Sequence, residues 1–240
     1  MVYQNDTLTF CREVTAVTMK QAKRDFVTDA AVELFLQRPL AAVTIRDVAE
    51  HSGVGEATVY RYFAGRTGLI VACALKLQAV AEQRFLGAAG TEKGFPWLRR
   101  FFETYLHLFR EQPELYRFLH EFDAYCIQAS VDRLEEYAAG MDRFKTAFEA
   151  AYRAGVANGT VRALPDMELF YYAATHAVLA LCKKLAAEEI LRQDKGADKT
   201  GEIRAMIDMI LFSLRGEETS YKHRGLTRKN EDGREALPQT

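Results

Sequence analysis

The chain has little of what most extracellular or catalytic proteins need. Its cysteines number four in 240 residues, and Cys11, Cys73, Cys126 and Cys182 are scattered, with no CxxC or zinc spacing. Three of them sit in apolar helical surroundings and read as reduced core residues, so neither a disulfide framework nor a metal site is expected. Residues 1–19 contain no continuous apolar core of secretory type. The longest apolar run, Leu69 to Leu75, is far below the roughly 18–20 residues of a membrane span. These absences predict a cytoplasmic, soluble protein. No cofactor is expected either: HExxH, GxSxG, P-loop, DDxxD and GxGxxG patterns are all missing. Gly53-Val54-Gly55 opens like a dinucleotide fingerprint but lacks a preceding strand and a third glycine. His120-Glu121 has no second histidine at helical spacing. Enzyme chemistry therefore has no constellation to work with. Excess positive charge is missing as well. The net charge is −1, and over residues 1–68 eight basic side chains balance eight acidic ones, so any nucleic-acid binding must rest on where the charges lie.

What the chain does have is concentrated in Thr44 to Phe63, TIRDVAEHSGVGEATVYRYF. Thr44 can cap a helix through its hydroxyl, and Asp47 puts a negative charge in the first turn. Ile45, Val48 and Ala49 form an apolar stripe, and Gly53 supplies the left-handed residue that ends the helix. Val59 and Phe63, spaced i, i+4, lock a second short helix inward. The pattern reads as helix, tight turn, helix, in the manner of DNA-binding proteins. Upstream, Phe26, Ala30, Ala31, Leu34 and Phe35 make a helical stripe ending before Pro39. Downstream, Ala64, Gly65, Arg66, Thr67, Gly68 and Leu69 lead into a fourth helix.

Residues 20–75 together resemble the N-terminal domain of TetR-type transcriptional regulators, with "aA..lF", then "T...vA..aGv...tvY.yF", then a basic residue opening the fourth helix. Gly55 replaces a frequent serine cap and Arg66 a usual lysine; both are mild departures, since glycine is tolerated at an N-cap and either cation can meet a phosphate. The resemblance implies a DNA-binding role for Thr44, Arg46, Glu56, Ala57, Thr58, Tyr60, Arg61, Tyr62 and Arg66. Arg46 would take guanine, Glu56 would accept from cytosine N4 and Ala57 would touch a thymine methyl. Thr58 would meet base edges or phosphate. Tyr60, Tyr62, Thr44 and Arg66 would clamp phosphates, and Arg61 stays open between base and backbone.

From Leu69 onward the pattern is helical, with no alternating strand signal. Helices are predicted over Thr67–Gly87, from Pro96, from Pro113 through Tyr125, over Ser130–Ala157, from Pro165 to Leu191, and over Glu202–Leu214. The expected fold is all-α: about nine helices, comprising a three-helix helix-turn-helix head at 20–66 after an N-terminal extension at 1–19, and a helical ligand-binding and dimerisation domain at 67–215. Residues 216–240, charged and poor in apolar side chains, are expected to be a disordered tail.

Two further expectations concern that second domain. Met167, Phe170, Ala174, Ala177, Leu181 and Leu185 form one stripe, widened by Ala173 and Ala180. Ile203, Met206, Ile207, Ile210, Leu211 and Leu214 form another. Periodicity leaves open whether they face a partner or the protomer's own core. The resemblance implies homodimerisation through Met167–Leu185 and Ile203–Leu214, as a four-helix bundle. The region is also rich in aromatics with a few polar points, which suits a pocket for a small apolar or aromatic effector. Candidate lining residues are Phe102, Tyr105, His107, Phe109, Phe122, Tyr125, Phe144, Phe148, Tyr172 and His176, each of which could equally be plain packing. The reading is a ligand-responsive repressor that leaves a palindromic double-stranded operator when a small molecule binds. The alternative is a helical small-molecule-binding protein with no DNA function.

Overall fold

The computed structural model describes residues 4–87, 92–131, 134–187, 196 and 198–216, with side chains from Met19 onward. The expected tail beyond Gly216 lies outside the described residues. Nine α-helices are found among them: α1 Gln4–Gln37, α2 Ile45–Ser52, α3 Glu56–Phe63, α4 Arg66–Leu86, α5 Phe95–Glu111, α6 Pro113–Gln128, α7 Glu135–Ala157, α8 Met167–Ala186 and α9 Lys199–Leu214. A 3-10 turn at Leu40–Ala42 links α1 to α2.

Local chemistry sets the head. Thr44 and Asp47 form a reciprocal capping box: the Thr44 hydroxyl accepts from the Asp47 amide at 3.1 Å, and the Asp47 carboxylate accepts from the Thr44 amide at 2.7 Å. Asp47 is thereby held below its ordinary pKa, with Thr44's hydroxyl the leading cause. Gly53 closes α2 at φ 68°, a conformation that costs glycine nothing. Val59 and Phe63 are buried where α3 packs on α2 and α4. Gly68 is required where α4 leaves α3, because a Cβ there would meet the Phe63 carbonyl oxygen at 1.9 Å. The buried stripe of α1 is Val27, Ala30, Ala31, Leu34 and Phe35, whereas Phe26 is 58% exposed. One residue along a helix turns about 100°, so Val27 takes the inward place expected for Phe26. The segment before residue 20 continues α1 as one helix.

The second domain is built around α5, which packs on α4, α6, α7, α8 and α9. Its Phe101, Phe102 and Leu106 are fully enclosed, and Phe85, Phe101, Phe144 and Phe148 crowd around it edge to face. Pro96 and Pro113 sit in first turns, where the missing amide is harmless. Asp166 and Asp198 cap α8 and α9 by accepting from Leu169 and Gly201 amides. The α7–α8 link is pinned to the end of α9 by Arg162 donating to the Leu214 carbonyl and Gly216 to that of Thr160.

Helix ends differ from expectation at two places. α7 begins at Glu135 rather than Ser130, which adopts φ 49° after α6. α8 stops at Ala186, and Leu191 is outside the described residues. The α9 stripe also needs correcting. Ile203, Ile207, Ile210, Leu211 and Leu214 are buried within the protomer itself, against α5 and α8. Ala174 and Leu185 of α8 are likewise internal. The outward faces are Leu169, Ala173, His176 and Ala180 on α8 and Ala205, Met209 and Phe212 on α9, with Leu169, Met209 and Phe212 61–78% exposed.

Candidate nucleic-acid interface and effector cavity

With Val59 and Phe63 turned inward, α3 exposes Glu56, Ala57, Tyr60 and Arg61 on one face, flanked by half-buried Thr58 and Tyr62. Tyr60 is 53% exposed. Arg61 lies over the Tyr62 ring at 5.5 Å. Arg46 projects from α2 and pairs with Glu50 at 2.8 Å, both largely in solvent, so the pair contributes little and is open to exchange for another acceptor. Thr44 is exposed, but its hydroxyl already serves the capping box. The structure thus brings eight of the nine expected residues to the helix-turn-helix surface.

Arg66 is the exception and a correction. Its guanidinium donates to the Leu40 carbonyl at 2.5 Å and the Val43 carbonyl at 3.4 Å, and sits 5.5 Å from the Tyr125 ring centroid. Two of its five N–H donors thus serve buried carbonyls, which ties the head together and draws the guanidinium in from the surface. Arg24, not among the expected residues, instead lies over the Phe63 ring at 5.3 Å, at the C-terminal end of α3. Nothing local marks it, because α1 meets α3 only in three dimensions.

The same junction continues into α6. Arg117 Nη2 donates to the carbonyls of Leu36 at 2.7 Å and Phe35 at 3.1 Å in the last turn of α1. The Glu121 carboxylate accepts from the Leu40 amide, and the Tyr125 hydroxyl pairs with Thr67 at 2.7 Å. One face of α6 therefore holds the head through Arg117, Glu121 and Tyr125.

Its other face lines a cavity of about 240 Å³. Leu115 and Leu119 of α6 form part of the wall, with Leu77 and Ala81 of α4. Tyr105, Phe144, Tyr172 and His176 also line it, four of the ten expected pocket residues. The other six do not. Phe102, Phe109, Phe122 and Phe148 are buried packing residues, His107 is on the surface, and Tyr125 belongs to the head junction. Charges gather at the mouth, where Lys145 pairs with Glu168 at 2.5 Å and lies over Tyr172, with Asp142 and exposed Met141 alongside. Glu168 holds the Lys145 ammonium well above its usual range. A second cavity of about 250 Å³ shares the Leu77, Ala81, Leu108 and Leu115 wall and opens beside Arg84 and Glu111, which pair at 3.1 Å. Among the described residues no cluster of potential metal ligands occurs, and no single helix is long and apolar enough to cross a membrane.

A capped helix-turn-helix with an outward second helix, carried on an all-helical body, defines a helix-turn-helix protein. Residues 27–73 match the family described as bacterial regulatory proteins, tetR family. Proteins of that family are DNA-binding transcription regulators, and the matched segment of this chain is the helix-turn-helix and its flanks. The HTH-type transcriptional regulator AlkX of Mycobacterium tuberculosis is 43% identical over 54 residues, which span 22% of this chain and 26% of that protein. The match thus covers about a quarter of the length of that relative. A Saccharomonospora viridis protein solved in complex with choline superposes with a TM-score of 0.61 at 18% identity, covering 82% of this chain and 100% of the other. The ketosteroid transcriptional regulator KstR2 of Mycobacterium tuberculosis gives 0.53 at 16% identity, over 81% and 95%. At these identities the two structures speak for the fold alone.

Proposed function

We propose that this protein is a ligand-responsive transcriptional repressor that works in the cytoplasm as a homodimer and leaves a palindromic operator when an apolar or aromatic effector fills the cavity. The observation that carries this reading is the double duty of α6. Leu115 and Leu119 face the cavity, while Arg117, Glu121 and Tyr125 hold the head. A ligand that moves α6 must therefore act on the head.

In this reading each α3 enters a major groove, and the two heads stand about 34–36 Å apart. Arg46 reads guanine, Glu56 cytosine, Ala57 a thymine methyl, and Thr58 base edges or phosphate. Tyr60, Tyr62 and Thr44 set the register on phosphates, with Arg61 and Arg24 adding charge at the rim. The dimer seam is formed by the exposed Leu169–Ala180 face of α8 and by Met209 and Phe212 of α9. Changing operator occupancy 100-fold requires the effector to favour the DNA-free arrangement by about 2.7 kcal/mol. Duplexes tiled across the DNA flanking the gene, titrated by fluorescence anisotropy, test the reading. One duplex should bind tightly and lose affinity for Arg46→Ala and Arg61→Ala. Uniform weak binding across all duplexes, unaltered by both substitutions, would leave only a helical ligand-binding protein.

A further inference from the structure

Successive residues of α4 turn by about 100°, so Leu77 and Ala81 share one edge of the helix. Gln78 and Phe85 lie to one side of that edge, Val80 and Arg84 to the other. Each side borders its own cavity. Gln78 and Phe85 line the first, of about 240 Å³. Val80 and Arg84 line the second, of about 250 Å³, where α5 turns into α6. Leu77 and Ala81 line both, as do Leu108 of α5 and Leu115 of α6. The two spaces therefore meet at a wall of four aliphatic side chains. No hydrogen bond holds such a wall, and leucines move between staggered rotamers. Ala81, the smallest of the four, leaves the least to displace.

Size points the same way. Either cavity alone falls below the roughly 300–1,000 Å³ of ligand pockets, while the pair, at about 490 Å³, lies within that range. The charged groups line one cavity each. Lys145 and Asp142 border the first. The Arg84–Glu111 pair, at 3.1 Å with both side chains more than half exposed, borders the second. Apolar voids gain contacts from an apolar guest. A guest that fills both spaces must be long and apolar in its middle, and its ends are free to be polar.

We propose that the two cavities are halves of one site, which takes a single long-chain amphiphile whose apolar chain crosses the wall at Ala81. This rests on the reading of the first cavity as the effector site.

Calorimetric titration of the full chain with 1-hexanol, 1-octanol, 1-decanol and 1-dodecanol, each below its solubility limit, tests the class. Affinity should rise about threefold per added methylene through dodecanol, with one dodecanol bound per protomer. Ala81→Leu narrows the passage. It should leave hexanol within about twofold and weaken dodecanol at least about tenfold. Val80→Trp fills the second cavity from a position that is 45% exposed and lines that cavity alone, so the fold tolerates it; it should act on dodecanol and spare hexanol in the same way. Affinity that stops rising between octanol and dodecanol, two dodecanols per protomer, dodecanol binding indifferent to both substitutions, or no binding by any alkanol would overturn the proposal. The readout is separate from the switch. Length-dependent binding that leaves DNA affinity untouched upholds the joined site and removes the repressor. DNA release by hexanol, with no gain from longer chains, does the reverse.

Discussion

Replacing Arg117 with methionine probes the joint between head and body. The substitution keeps most of the stem and removes the guanidinium, whose Nη2 bridges the Leu36 and Phe35 carbonyls at 2.7 and 3.1 Å. α1 ends at Gln37, so these are carbonyls of its last turn, where a cation is favoured both as a donor and by the helix dipole. Hydrogen bonds from a charged donor contribute about 1.5–3 kcal/mol each. Here a single nitrogen serves both acceptors, and the side chain is 22% exposed, so water recovers part of the loss. The Glu121 contact at 3.7 Å adds little, and Glu121 retains the Leu40 amide. The net cost works out at about 2 kcal/mol. In a chain of this length that lowers Tm by about 4–8 °C, with the urea midpoint falling at constant m. Scanning calorimetry and urea titration measure both. The variant should still bind a cavity ligand with little change, yet that ligand should no longer alter DNA affinity. A Tm within about 1 °C of the parent would refute the energetic argument. Intact coupling in a destabilised variant would show Arg117 to be structural only.

Arg66→Ala should cost about 1–2 kcal/mol in stability through its two carbonyl contacts and leave the salt dependence of DNA binding unchanged; a slope reduced by about one would return Arg66 to the phosphates. Ile207→Glu puts a charge at a position with 0% exposure and should destabilise the protomer by more than about 3 kcal/mol. Phe212→Glu, at 78% exposure, should keep the far-UV spectrum and yield monomers in sedimentation velocity; a persistent dimer would move the seam off α9. Asp47 is held below its ordinary value of 3.8 by Thr44, so its contribution is fully present above about pH 5 and is lost as pH falls through the lowered folded value. Thermal melts of the parent should fall more steeply over that acid range than those of Asp47→Ala, and parallel curves would contradict the capping argument.

The head could be read from the chain because its signals are local. Thr44 and Asp47 are three residues apart, Gly53 follows its helix directly, and Val59 and Phe63 are one turn apart. Arg66 shows where such reading stops. The residue type suits a phosphate, but its fate is decided by Leu40, Val43 and Tyr125, which only the tertiary fold brings together. In α9 both faces are apolar, so periodicity finds the helix but not its inward side. Ile203, Ile207 and Leu214 turn in, while Met209 and Phe212 turn out. The cavity has no local signature, since it arises where side chains of α4 to α8 fail to meet. Aromatic richness points to the region, yet Phe102 and Phe148 fill space while Leu77, Ala81 and Leu115, ordinary in sequence, form its wall.

The central claim, that α3 reads a defined operator, is tested most directly by selecting binding sites from a random pool of double-stranded DNA with the full-length protein and sequencing the bound fraction. An enriched inverted repeat is expected, with half-site centres about one helical turn, or a multiple of it, apart. Ala57→Trp, which blocks the exposed face of α3, should abolish the enrichment while the protein stays folded. A pool that remains random after repeated rounds, or an identical motif recovered with Ala57→Trp, would contradict it.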